Sequence, residues 1–443
     1  MKSSKAKIPH AIFCTAAVCL IVLFQLAFPF SSGTSRSGDG SGLASADTRE
    51  GRLAVFDDVW QTIEDRYYDP KFGGIDWRGP SSAFRQAAAD AKGSHELYEV
   101  LRRMIAQLND PHTRVYSPEE KFDWWKPRFV TVGVVIREIE GAPTVVQIDP
   151  QSEPARAGIR PGDVIESVDG VPVWEAVQKQ LTNQSLSTAS RSARFRAVAG
   201  VLEGEDGSPV QLVWKNKDGI SKSRKFTRHW NQRELGFQIS RKHHFLVVEI
   251  EGFTETLVAQ LLRALTNKLP SAQGVVLDLR RNGGGNAEAM SETADLFLDK
   301  GADLGGFTDR AGATFRLITR SAALFPFPLN TKPAVPLDVL VSERTSSAAE
   351  ILAAALQTSG RARVIGTPTC GCVLAIRSRY TLPDEGVLDV SEFDYRTALG
   401  VRLERLGILP DFIILPKRAD LYAKRDRALD AALEMLSAQN YQK

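Results

Sequence analysis

Gly274-Val275-Val276-Leu277-Asp278-Leu279-Arg280-Arg281-Asn282-Gly283-Gly284-Gly285-Asn286 passes from an almost unbroken apolar run, through three consecutive glycines, into a helical pattern that continues to Leu298. A strand without polar alternation suits a parallel sheet covered by helices on both faces. Its surroundings repeat the theme. Strands are expected over Phe245–Ile250, Leu337–Val341 and Arg363–Gly366, with an amphipathic helix over Thr254–Leu269. The alternation predicts an α/β layer with a mostly parallel sheet. The glycines let backbone N–H groups approach a ligand unobstructed. Neither the dinucleotide fingerprint nor the Lys-Ser/Thr ending of a P-loop is present, and a plain turn is the other reading.

Upstream, the pattern changes twice. Val132-Gly133-Val134-Val135-Ile136 and Thr144–Ile148 read as short strands, followed by a Pro161-Gly162 turn and a further strand and hairpin through Val173. Before them, Phe56, Val59, Trp60 and Ile63, then Leu97, Val100, Leu101, Met104 and Ile105, recur at helical spacing. Asp110-Pro111 ends that pattern with a turn signal. At the start of the chain, Lys2, Lys5 and Lys7 precede an apolar run from Ala11 to Phe30. Twenty helical residues span about 30 Å, one hydrocarbon core. The run is long for a cleaved signal and no clean small-residue cleavage site follows it. An anchor over residues 11–30 is therefore expected, positive side inside and body exported to the periplasmic or extracytoplasmic side; secretion after signal cleavage is the alternative. Ser31–Ser45 reads as a flexible linker. The organisation expected is multidomain: residues 1–50 anchor or signal plus linker, 51–126 helical, 127–228 β-rich, 229–418 the α/β core, and 419–443 a C-terminal helix.

The chain has 443 residues, 43% hydrophobic and 25% charged, with a net charge of +3. Such a balance gives no argument for nucleic acid as a partner. Cys14 and Cys19 fall in the apolar run, and Cys370 and Cys372 are one residue apart. A bridge across so short a loop is expected to be strained, and two cysteines without histidines make a poor metal site. No disulfide, metal or cofactor is expected.

Ser347 lies where an apolar strand gives way, through Ser342-Glu343-Arg344-Thr345-Ser346, to the alanine-rich helix that starts at Ala348-Ala349-Glu350. A serine there can serve as a nucleophile, close to the free N–H groups of the helix start. It can equally cap the helix, with Glu350 completing a capping box.

Five motifs occur in an order that resembles the carboxyl-terminal processing, or tail-specific, serine peptidases: Asp110-Pro111-His112-Thr113, the β-rich unit, Leu277–Gly285, Thr345–Ile351 and Gly407-Ile408-Leu409-Pro410-Asp411. The β-rich unit itself resembles a PDZ domain, although Leu181–Gly200 is longer than that pattern. The resemblance implies that Gly133, Val134 and Val135 line a loop for a substrate's C-terminal carboxylate, the chain adding as a strand; a bulge relieved by Gly133 is the other reading. It also implies a nucleophile at Ser347. Where the family carries its lysine base and the accompanying glutamine, this sequence has Cys372 and Ile376. The tricorn-like branch, in which a histidine and a glutamate replace the lysine, is the closer pattern. It implies a triad of Ser347, His112 and Glu404, with an oxyanion hole from the N–H groups of Gly284 and Ala348. The expected function is an exported serine endopeptidase acting through an acyl-enzyme on protein or peptide substrates with exposed C-termini. A catalytically inactive peptide-binding scaffold is the alternative.

Overall fold

The computed structural model describes residues 44–120, 128–183, 191–232, 235–266, 268, 271–320 and 336–440. The expected anchor, and the expected linker as far as residue 43, lie outside these residues. No helix among the described residues is long and apolar enough to cross a membrane.

The centre is a six-stranded sheet. Phe237–Lys242 runs antiparallel on Phe245–Ile250, and Gly274–Asp278, Leu337–Val341, Arg363–Gly366 and Phe412–Ile413 follow in parallel. Gly274–Asp278 and Leu337–Val341 are buried at every residue, as their unbroken apolar content predicts. Helices Leu257–Thr266, Ala287–Asp295 and Ala348–Thr358 supply the core on one face. Helix Arg427–Asn440 covers the other, where Ala432 and Leu436 meet Phe245, Val276, Leu340 and Ile365. Each fully buried Leu or Ile in these layers contributes roughly 1.5–3 kcal/mol of transfer free energy. The C-terminal helix, expected as a separate element, is thus one wall of the core.

A second, antiparallel sheet escaped the sequence reading. Strand Val387–Arg396 pairs with Arg114–Tyr116, Asp303–Asp309 and Ala375–Thr381. The helices Arg49–Arg66, Ser81–Asp90 and Ser94–Ala106 pack on it, and Val55, Leu97, Leu101, Leu388 and Val390 share one cluster. The helical region is therefore not self-contained. It leans on strands nearly 300 residues later in the chain.

The β-rich unit has its own core, with Val145, Ile165, Val177, Leu212 and Trp214 buried. Its main strands run in the order Val134–Ile139, Ala142–Ile148, Val164–Val168, Pro209–Lys215, Ser221–Thr227. Val134–Ile139 is an edge strand. The long stretch noted in the sequence contributes helices Val173–Asn183 and Arg191–Gly200, the second packing beside that edge strand. The C-terminal segment clasps the unit at another point. Arg418 Nε donates to Gly162 O (3.1 Å) and Tyr422 Oη to Asp163 Oδ1 (3.1 Å). A Cβ on Gly162 would come within 2.8 Å of the Tyr422 ring, so this turn needs glycine.

Candidate active site

The strand Leu337–Val341 ends in a turn that is fastened to the neighbouring strand end. Ser342 Oγ donates to Arg280 O (2.7 Å), Thr345 Oγ1 to Leu279 O (2.8 Å), and Ser346 Oγ to Gly283 O (3.0 Å). These bonds force Ser347 into φ 55°, ψ −128°, a conformation that L side chains rarely adopt. Such strain costs on the order of 1–3 kcal/mol and persists only where the surroundings impose it. Ser347 N–H donates to Cys372 O (2.8 Å) and to Glu350 Oε2 (3.3 Å). Ala348 N–H follows at the first helical position, beyond reach of any earlier carbonyl of the helix.

Gly284 lies against the serine. A Cβ there would stand 2.6 Å from Ser347 Cβ and 3.1 Å from its Oγ, so only glycine fits. Its N–H, expected at an oxyanion hole, donates to Asn282 Oδ1 (2.8 Å). To serve an oxyanion, that bond must be exchanged.

Glu350 is more than a capping residue. Its buried carboxylate accepts from the N–H groups of Gly371 (2.8 Å) and Cys372 (2.9 Å) and from Thr369 Oγ1. Burial pushes its pKa up to about 7 against these bonds. The adjoining Val373 and Leu374 N–H groups donate to Glu404 Oε2 (2.8 and 3.2 Å). Glu404 is pushed up to about 8, by burial first, with the charges of Asp110 and Glu350 adding to it. The Gly407–Asp411 motif supports this loop: Ile408 N–H donates to Thr369 Oγ1 (2.7 Å), and Asp411 accepts from Val364 N–H (2.7 Å).

The expectation of no disulfide is corrected here. Cys370 and Cys372 are bonded, with their Cα atoms 5.2 Å apart, inside the usual range for a bridge. Gly371 makes the short loop feasible. It sits at φ 69°, where a Cβ would meet Gly407 N at 2.8 Å.

His112 is set in a turn built by Asp110. Asp110 Oδ1 accepts from His112 N–H (2.8 Å), and Oδ2 from Thr113 Oγ1 (2.5 Å). Thr113 Oγ1 also accepts from Ser391 N–H (3.1 Å), fixing the turn to the second sheet. The imidazole Nδ1 is buried, 3.9 Å from Asp110 Oδ1, and has no hydrogen-bond partner among the described residues. Burial pushes the His112 pKa down to about 4; Arg114 and Arg196 lower it further, while Asp110 opposes. The ring is neutral at pH 7. No hydrogen bond among the described residues joins Ser347 Oγ to His112, or His112 to Glu404.

Arg196, which the sequence did not single out, reaches in from helix Arg191–Gly200 of the β-rich unit. Its Nη1 lies 3.9 Å from Cys372 Sγ, and its charge is felt by His112, Asp110 and Glu404. Arg137, on the edge strand, pairs with Glu343 just ahead of the serine turn. The β-rich unit therefore touches the serine half of the site, and its Arg196 charge reaches the histidine half. Gly133, at φ 77°, accepts from Asp149 N–H (2.8 Å) and immediately precedes the edge strand that holds Val134 and Val135.

A strained serine at a helix start, packed against a glycine turn, is a position from which a hydroxyl can act as a nucleophile, and comparison with known proteins gives the class. Residues 244–414 match peptidase family S41, and residues 49–106 match the tricorn protease C1 domain. Over these residues the chain is similar to the S41 peptidases, with relatives among the carboxyl-terminal processing proteases, which supports a peptidase function. It is 29% identical over 400 residues to the carboxyl-terminal-processing protease of a Picosynechococcus species, covering 86% of this chain and 88% of that one. The carboxy-terminal processing protease CtpA of Bacillus subtilis is 26% identical over 328 residues, covering 71% of this chain and 65% of that one. Among solved structures, mature CPAF complexed with lactacystin shares the fold, with a TM-score of 0.67 at 13% identity over 89% of this chain and 98% of that one. The photosystem II D1 C-terminal processing protease follows at 0.54 and 24%, over 82% and 93%.

Proposed function

We propose that this chain is a serine endopeptidase that works through an acyl-enzyme on Ser347. The observation that carries the reading is the strained Ser347 turn packed against Gly284. Strain of this kind is retained where an exposed, fixed hydroxyl is needed. His112 removes the serine proton and returns it to the leaving amine. Its neutral ring and unpartnered Nδ1 suit a base awaiting a partner, since catalytic hydrogen bonds often tighten only with substrate bound. Glu404 then orients the ring, and Ala348 N–H with Gly284 N–H holds the oxyanion. For this geometry to form, Arg196 withdraws from the space beside Cys372 and His112, and Glu404 gives up its proton to balance the imidazolium.

Substrates are proteins or peptides with exposed C-termini, received at the edge strand Val134–Ile139 of a PDZ-like unit, with Gly133, Val134 and Val135 at the carboxylate. The free edge and the adjacent helix favour strand addition. Export, with residues 11–30 as anchor, accords with the Cys370–Cys372 disulfide, since such bonds persist in oxidising compartments. One feature favours the second reading, a peptide-binding scaffold without hydrolysis: where the resemblance expects a lysine base, Cys372 is tied up in a disulfide and its sulfur cannot act as a base. The test is labelling by a serine-reactive fluorophosphonate, with and without a C-terminal peptide, in the native chain and in Ser347→Ala. Labelling confined to the native chain supports the enzyme; its absence under both conditions, together with no cleavage of an unfolded protein, favours the scaffold.

A further inference from the structure

We propose that Cys370–Cys372 is a reversible thiol–disulfide site, opened by a dithiol reductant, that governs the order of the Ser347 turn. The bridge lies at the junction of the three segments that build the serine half of the site. Cys370 N–H donates to Thr345 O (3.1 Å), Cys372 O accepts from Ser347 N–H (2.8 Å), and Gly371 O accepts from Arg405 N–H (2.7 Å). Gly371 and Cys372 also hold the Glu350 carboxylate. Five backbone and carboxylate contacts around the Ser347 turn thus pass through three residues whose turn the S–S bond closes.

The two sulfurs are unlike. Cys370 is half-buried, whereas Cys372 is 4% exposed and has the Arg196 guanidinium 3.9 Å from its sulfur. A thiolate beside a cation is the better leaving group. A reductant thiolate therefore attacks Cys370 Sγ, and the S–S electron pair leaves on Cys372. The second thiol of the reductant then attacks its own sulfur in the mixed disulfide and expels Cys370 as thiolate. The reductant ends as a disulfide, the protein gains two electrons, and the two thiol protons go to Cys370 and to solvent while Cys372 stays paired with Arg196. The reduced turn has lost its covalent closure, and its Cys372 is drawn toward Arg196 and away from the Ser347 anchor.

The site does not depend on the serine peptidase reading; only its effect on hydrolysis does. The test uses the full folded chain with dithiothreitol at neutral pH. Alkylation by iodoacetamide is mapped on the peptide carrying Cys370 and Cys372, apart from Cys14 and Cys19. Amide hydrogen exchange is followed over 345–350 and 371–374. The expected result is alkylation of both cysteines without unfolding, at least tenfold faster exchange in both segments, and reversal on reoxidation. A Cys370→Ser, Cys372→Ser double variant should exchange fast with or without reductant. A bridge that resists dithiothreitol in the folded chain, or one that opens with exchange unchanged, overturns the proposal. Fluorophosphonate labelling of Ser347 should fall at least tenfold in parallel; no labelling in either redox state would defeat the serine reading and leave the exchange result to decide this one.

Discussion

The Ser347 turn and the His112 turn are both held by side-chain hydrogen bonds to backbone, but they differ in what is left over. Around Ser347, neighbouring serine and threonine hydroxyls, the Glu350 carboxylate and the main-chain N–H all have partners, and the strain falls on the serine itself. Around His112 the backbone is tied down while the functional atom, Nδ1, is buried with nothing to bond among the described residues. One half of the site is finished by the fold of the α/β core. The other half rests on a different sheet and meets a cation, Arg196, delivered by a third unit. Parts of a site that share one strand–turn–helix can be fixed by local bonds; parts assembled from three cores depend on how those cores meet.

Breaking the finished half should have the largest effect. Ser347→Ala should lower peptide cleavage by ~10³-fold or more, measured on an unfolded protein substrate. Ser347→Gly should do the same while raising stability by ~1 kcal/mol, because glycine tolerates the positive φ; equal denaturation midpoints for the native chain and this variant would count against strain at this residue. Gly284→Ala comes next. Its methyl would enter space occupied by Ser347 at a backbone φ of 100°, so a loss of ~2–4 kcal/mol in chemical denaturation is expected, with cleavage falling alongside.

The unfinished half gives smaller, pH-dependent effects. Glu404 has its folded pKa raised above the ordinary 4.5 to about 8. The folded state then binds more protons than the unfolded state between these values, so its contribution favours folding below about pH 4.5 and is lost as pH rises toward 8. Glu404→Gln removes that dependence. The variant should gain on the native chain between pH 5 and 8, by on the order of 2 kcal/mol, read from denaturation midpoints at the two ends. Arg196→Ala should give the smallest change. Removing that cation raises the His112 pKa from about 4 toward its ordinary value of 6.5, without reaching it, since burial is the larger cause. An NMR titration of the ring that does not move would separate Arg196 from the histidine.

The buried parallel strands were legible because continuous apolar runs bounded by glycines have few other uses. Phe245–Ile250, Leu337–Val341 and Arg363–Gly366 have the expected limits. The second sheet was not, since Asp303–Asp309 and Ala375–Thr381 mix polar and apolar residues. The candidate serine was legible from its turn. The roles of Glu350, Arg196 and the disulfide were not, because each depends on residues brought together by packing: Glu350 holds a loop about 20 residues on, and Arg196 acts some 175 residues from Cys372. The expectation of no bridge overlooked how Gly371, at positive φ, brings the two cysteines within bonding range.

The clasp of Arg418 and Tyr422 on the Gly162–Asp163 turn gives the end of the chain a mechanical task. It pins one corner of the β-rich unit, the same unit that delivers Arg196 to the site. A cut after Lys417 would detach that corner from the tail that holds it.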